Sequence, residues 1–159
     1  MISVRADTFA FDPPHTWDIV THPGAVAVLP VTRGGNLILI YQWRRAVGKI
    51  LLEIPAGVLE KGEKPEKAAQ RELQEEIGYV ARELTSLGGI HTAAGFADEY
   101  IHLFVGRKLE ESALPKDAHE AIDVVEMPLA QALELIDRHT ITDAKTICSI
   151  LKYARFYEA

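Results

Sequence analysis

Residues 57–79, GVLEKGEKPEKAAQRELQEEIGY, decide how the rest of this chain is read. The stretch opens on Gly57, turns at Gly62 and Glu63, and runs into a helix with Pro65 in its first turn and Gly78 at its end. Proline suits a helix start because the first N–H groups have no intrahelical partner, and glycine suits the end because it tolerates a left-handed backbone. Ala69, Leu73 and Ile77 recur every four residues and give this helix one apolar stripe. Glu72 and Glu76 share a second face, with Glu75 beside them. Like charges at this spacing weaken an isolated helix by roughly a few tenths of a kcal/mol per pair, so a cation is expected to offset them. Arg71 can reach Glu75 one turn on. The remaining charge suits a hard divalent ion such as magnesium, which takes oxygen ligands and is commonly shared between carboxylates and a phosphate substrate. A solvated acidic face is the ordinary reading of a Glu-rich helix; the surrounding residues decide against it here.

Just upstream, ILLEIPAG (50–57) is a short strand with Glu53 inside an apolar run. A carboxylate there is costly unless paired, so Glu53 is expected to meet an arginine or a ligand donor. Before it, GAVAVLPVT (24–32) and NLILIYQW (36–43) are β-rich runs joined by Arg33-Gly34-Gly35-Asn36, which reads as a hairpin at the centre of a sheet. Arg44 and Arg45 follow, and two arginines after a buried strand are either a surface rim or a phosphate-binding pair; taken alone, the rim is the commoner case. At the N-terminus, SVRADTFAF and WDIVTH read as strands broken by Asp12-Pro13-Pro14-His15, with Phe9, Phe11 and Trp17 expected to pack on the main domain.

Downstream, LTSLGGIHTAAGF reads as a strand and a glycine-containing loop, EYIHLFVGRKL as a strand and HEAIDVVEMP as another. Helices LAQALELIDRHT and DAKTICSILKYARFYE close the chain. Strands, helix, strands, helices in that order predict an α+β fold with a mixed sheet between helices. Residues 1–22 read as a strand arm ahead of one domain over 23–159.

With 159 residues the chain suits one domain with a proper core. Its 48% hydrophobic and 25% charged composition is that of a globular protein, and a net charge of −6 argues against general nucleic-acid affinity. Cys148 is the only cysteine, which excludes an internal disulfide and a Cys-based zinc cluster; its apolar surroundings place it in the core. No stretch approaches the ~18 apolar residues that span a bilayer, so no membrane partner is expected and a cytoplasmic location is the default.

Gly57, five residues, Glu63, seven residues, then Arg71-Glu72-Leu73-x-Glu75-Glu76-x-Gly78 resembles the Nudix box, the signature of the Nudix hydrolases, with Tyr79 in a slot that is usually aliphatic. The resemblance covers roughly residues 24–156 and implies an α/β/α sandwich. It implies that Glu72, Glu75 and Glu76 hold Mg²⁺, with Mn²⁺ as a substitute, and that the Ala56 carbonyl is a further ligand. YQWRR, LLEIPAG and AAGFADE are most similar to the ADP-ribose pyrophosphatase branch. That branch implies a catalytic glutamate before the last strand, for which Glu120 is the best match, acting as base or as a further metal ligand; Asp117 and His119 are its neighbours. It further implies that Arg44 binds the second phosphate or terminal ribose, with Glu53 beside it, that Phe96, Asp98 and Glu99 shape the distal pocket, and that Glu63 works structurally. Members of the branch are homodimers whose N-terminal strands cross, which would bring Trp17, Phe9 or Phe11 near the partner's nucleotide site. The implied substrate is a nucleoside diphosphate sugar, preferably ADP-ribose cleaved to AMP and ribose 5-phosphate. The branch's Ser-Pro-Gly reads Ala93-Ala94-Gly95 here, which keeps another sugar such as GDP-mannose open. A non-catalytic nucleotide-sugar sensor is the alternative from another class, and three coordinating carboxylates weigh against it.

Overall fold

The computed structural model describes residues 2–115 and 121–157. β1 (Ser3–Phe9) and β2 (His15–Thr21) pair as an antiparallel hairpin. The strands that follow are β3 (Ala25–Pro30), β4 (Leu37–Arg44), β5 (Lys49–Glu53) and β6 (Ala56–Val58). Helix α1 (Pro65–Glu76) leads into β7 (Tyr79–His91), β8 (Tyr100–Glu111) and β9 (Ile122–Met127), and α2 (Leu129–Asp137) and α3 (Ala144–Tyr157) complete the order.

Two sheets carry the domain. One is mixed, in the order β6-β3-β8-β7, with β3 parallel to β8; the other is antiparallel, β5-β4-β9. β3 is buried from end to end and alternates between two cores. Ala25, Ala27 and Leu29 join Leu39, Leu103, Ile150 and Tyr153 on one side. Val26 and Val28 join Ile38, Ile40, Leu73 and Phe104 on the other. α1 covers the second core with Ala68, Ala69, Leu73 and Ile77, and α2 and α3 cover the first. This is the α/β/α sandwich expected from the sequence. Burial of a side chain such as Leu73, which is wholly excluded from solvent, stabilises the fold by about 1.5–3 kcal/mol. Cys148 is half-buried against the first core.

Two sequence expectations are corrected. β3 and β4 do not form a hairpin: a single bridge, Val31 to Leu37, links them, and beyond it each enters a different sheet. The turn is tight as expected, with Thr32 accepting from Gly35 N–H at 3.0 Å. Yet each strand gains more by pairing centrally elsewhere, because both present apolar residues on two faces. Phe9, Phe11 and Trp17 do not pack on the main domain. They are 47%, 60% and 40% exposed and pack on one another, with ring centroids 5.4–6.4 Å apart.

Register places the functional loops. Ala25 of β3 pairs with Val58 of β6 and with Ile101 of β8, and Tyr100 of β8 pairs with His91 of β7. The segment before β3, the loop after β6 and the loop between β7 and β8 therefore meet at one end of the mixed sheet.

Candidate active site

α1 begins at Pro65 and ends at Glu76, capped by Ile77, whose N–H donates to Leu73 O; Gly78 then turns the chain with φ +76°. The apolar stripe presses α1 onto the sheet and turns Glu72 and Glu76 inward. They are only 7% and 2% exposed. Carboxylates at that depth need polar partners, since an unpaired buried charge is strongly unfavourable. Glu76 Oε2 accepts the Ala56 N–H at 2.9 Å. Glu72 lies against Gly57 so closely that a Cβ on Gly57 would stand 1.9 Å from its Oε1. The glycine is required here by space, because its φ is not among the left-handed ones.

Arg71 organises the acidic side. Its Nη1 donates to Glu72 Oε1 at 2.6 Å and to Glu75 Oε2 at 3.0 Å, while Nε and Nη2 hold Glu63 at 3.1 and 3.0 Å. Nη2 also reaches Val58 O at 3.2 Å. The Arg71 contact holds the Glu63 carboxyl below the usual carboxylate range, and Glu63, followed by Glu72 and Glu75, raises Arg71 in turn. Glu63 also accepts the Glu60 N–H at 3.0 Å, tying the loop to the helix. This is the structural part expected of it.

Among the described residues, no three Asp, Glu, His or Cys side chains converge as a ligand set in this arrangement. Arg71 Nη1 occupies the space between Glu72 and Glu75. The donor chemistry nevertheless fits a hard divalent ion. Glu72 and Glu76 are buried oxygen donors on one helix face, both lie against the Ala56-Gly57 backbone, and the bare Gly57 leaves a cradle that any side chain would fill.

Beside this centre, Arg44 at the end of β4 donates from Nε to Glu53 Oε1 at 2.8 Å and from Nη2 to Glu53 Oε2 at 2.7 Å. Burial pushes the Glu53 carboxyl up, but the bonds from Arg44 and the charge of Lys145 outweigh it and leave it below the usual range. Glu53 thus meets the arginine expected for it. Arg45, by contrast, is exposed in the turn after β4. Lys145 also contacts Glu53, and Asp143 accepts from Lys145 Nζ at 2.9 Å. Asp143 caps α3, accepting from Thr146 N–H at 3.0 Å and from its hydroxyl at 2.6 Å. Thr146 Oγ1 in turn accepts the Ile54 N–H at 3.0 Å, two residues before Ala56.

The third group lies at the loop between β7 and β8. Asp98 accepts from Arg5 at 2.8 Å and from the His22 N–H at 2.7 Å, and Val20 exchanges backbone hydrogen bonds with Phe96 and Asp98. The Arg5 contact, followed by the His22 N–H, holds the Asp98 carboxyl low. Glu99 accepts from Thr92 at 2.5 Å and lies 3.4 Å from His22 Nε2. Two adjoining clefts follow the hairpin. One of about 340 Å³ is lined by Arg5, Phe9, Ile19, His91 and Asp98 among others. The other, of about 280 Å³, is lined by Phe9, Phe11, Trp17, Ile19 and Gly95. Phe96 is 58% exposed at this loop. Asp98 and Glu99 are thus engaged in docking the hairpin.

Glu120, Asp117 and His119 lie outside the described residues. Glu110, another acidic residue of that region, is within β8 and bonded to Arg82 at 2.8 and 2.6 Å. Sequence reasoning did not find Lys145, Thr146 or Arg5. Asp143 ahead of an apolar run is an N-cap signal, but nothing local links α3 to Glu53, which stands 92 positions away.

A model of the NUDIX domain matches residues 21–150. The chain is 45% identical over 144 residues to an ADP-ribose pyrophosphatase of Bacillus subtilis (strain 168), covering 89% of this chain and 77% of that protein. It is 42% identical over 144 residues, with the same coverage, to a methanol dehydrogenase activator of Bacillus methanolicus. A crystal structure of an ADP compounds hydrolase superposes with a TM-score of 0.86, covering 99% of this chain and 87% of the other at 23% identity, a likeness of fold.

Proposed function

This chain belongs to the NUDIX domain family, and from that premise we propose that it is a metal-dependent pyrophosphohydrolase of nucleoside diphosphate sugars, ADP-ribose first, releasing AMP and ribose 5-phosphate. The observation that carries this reading is the pair of buried carboxylates, Glu72 and Glu76, held against the backbone of Ala56 and Gly57. The 45% identical ADP-ribose pyrophosphatase supports the choice of sugar, and Ala94 keeps GDP-mannose as the second reading.

A pyrophosphate diester carries two negative charges that repel an attacking water, so its hydrolysis needs preorganised positive charge and a proton acceptor. Mg²⁺, or Mn²⁺ in its place, held by Glu72, Glu75, Glu76 and the Ala56 carbonyl, would supply that charge and polarise the phosphate oxygens. Arg71 sets the Glu72 and Glu75 carboxylates. Arg44 binds the second phosphate with the edge of its guanidinium that Glu53 leaves uncovered. Glu120 takes the proton from the attacking water. The clefts beside Phe9, Trp17 and Phe96 receive the base, where an aromatic face can stack.

Assembly belongs to the same reading. Residues 1–22 form an arm whose exposed aromatic cluster supports a homodimer in which Trp17 lies near the partner's nucleotide. A cytoplasmic enzyme is proposed with it, to be checked by cell fractionation. The decisive experiment is a panel of nucleoside diphosphate sugars with Mg²⁺, following release of nucleoside monophosphate. Faster release from ADP-ribose than from GDP-mannose is expected; turnover that persists in excess chelator would overturn the metal-dependent reading.

A further inference from the structure

The first turn of α3 lies outside the box, yet it reaches both sides of the site. Through Thr146 it holds the Ile54 N–H next to the strand on which Ala56 receives Glu76. Through Lys145 it reaches Glu53, which is 1% exposed and grips Arg44 with both oxygens. Two cations therefore share one buried carboxylate. A single glutamate contacting Arg44 alone would be free to turn about its own side-chain bonds, carrying the guanidinium with it. Lys145, on the same Oε2 that accepts from Arg44 Nη2, removes that freedom, and Asp143 fixes Lys145 at 2.9 Å while itself bonded to Thr146.

The consequence falls on Arg44. Its Nε and Nη2 are committed to Glu53, whereas Nη1 has no hydrogen-bond partner among the described residues. The side chain is 36% exposed, and the charges of Glu76 and Asp143 both bear on it. A planar fork fixed along one edge presents the other edge in a fixed direction, as recognition of a phosphate requires.

We propose that Lys145 is a positioning residue for Arg44: acting through Glu53, it fixes the guanidinium plane so that the Nη1 edge faces the substrate's phosphate. This inference rests on the hydrolase reading above for the identity of the anion, and on the Lys145, Glu53 and Arg44 contacts for the geometry.

The test is a double-variant cycle of Lys145→Met and Arg44→Ala, assayed with ADP-ribose and Mg²⁺. Lys145→Met is expected to raise KM about tenfold with kcat changed less than about threefold, the signature of lost ground-state and transition-state binding alike. In the Arg44→Ala background the same substitution is expected to leave KM unchanged, because the residue through which it acts is gone. Lys145→Arg, which keeps a cation against Glu53, is expected to restore most of the loss. Additive effects on KM in the two backgrounds, or a fall in kcat alone, would overturn the proposal. Should Lys145→Met fail to fold, Lys145→Gln replaces it in the cycle. A second readout needs no turnover: the Arg44 Nε–H resonance, held by Glu53 in the wild type, should broaden or move towards that of a free arginine in the Lys145 variant. If that change occurs while the wild type hydrolyses no nucleotide sugar, the positioning stands and the hydrolase reading falls. An unchanged resonance overturns the positioning role itself.

Discussion

The box centre and the N-terminal hairpin are built on opposite plans. At the box, Glu72 and Glu76 are buried, Arg71 holds three carboxylates and Val58 O, and one missing Cβ at Gly57 decides whether Glu72 fits. Each position is fixed by several partners at once. The hairpin instead exposes Phe9, Phe11 and Trp17 and docks through Val20 and Arg5. Chemistry that needs atoms held to a fraction of an ångström belongs on the first plan. Recognition of a flat ring tolerates the second. Changes at the box should therefore act on kcat, and changes in the hairpin on KM and assembly.

The largest effect is expected from Glu76→Gln. Its shape is retained and its charge lost, so kcat should fall by at least ~100-fold with little change in Tm. Loss of folding instead would make the box a structural device and break the contrast. Glu120→Gln comes next: given its proposed role as proton acceptor, it should depress kcat sharply while KM and metal affinity, measured by calorimetry, stay nearly constant. A fall in metal affinity would reassign Glu120 as a ligand. Gly57→Ala should lower kcat by about ten- to a hundredfold, because the new methyl displaces Glu72 or the loop that faces it; wild-type kinetics would show that the cradle is not needed.

On the hairpin side, Trp17→Ala is expected to raise KM about fivefold, leave kcat nearly unaltered and weaken the proposed dimer, as followed by light scattering. A monomer of full activity would remove the proposed role of the arm. The smallest effect concerns pH. Arg71 lowers the folded-state pKa of Glu63, so the stability this contact contributes is fully present above the ordinary carboxylate range and is lost as pH falls through the lowered value. The difference in Tm between wild type and Glu63→Gln should be constant near neutrality and close only on that acid side. A gap that persists at the acid end would show that Glu63 acts through packing instead of charge.

What could be read in advance follows the range of the interactions. α1, its stripe, its Arg71 contact and its glycine ends are set by neighbours within a turn or two, and each appears where the spacing places it. Glu53 was legible as a paired carboxylate because an isolated charge in an apolar run has few alternatives. Its second partner, Lys145, was not, since periodicity carries no record of which distant helix end will arrive. The Arg33 to Asn36 turn misled for a related reason. Its glycines specify a reversal, but whether the flanking strands then pair depends on the neighbours competing for them, and β8 and β9 win. The aromatics of the hairpin read as core because apolar rings usually are; only the fold shows that they pack on one another and stay exposed.

The parallel pairing of β3 with β8 sets an order of events during folding. Ala25 and Ile101 are far apart in sequence, and the chain from β4 to β7 is the loop that their pairing must close. Such non-local contacts form slowly, because a long loop must close before the pairing repays the entropy lost. The pairing of β3 with β6 already brings two of the loops at that sheet end together, and the β7 to β8 loop joins them only through this closure. A nascent chain can build α1 and the β7 to β8 hairpin while still lacking a substrate cleft, so catalytic competence should lag behind helical signal in refolding experiments.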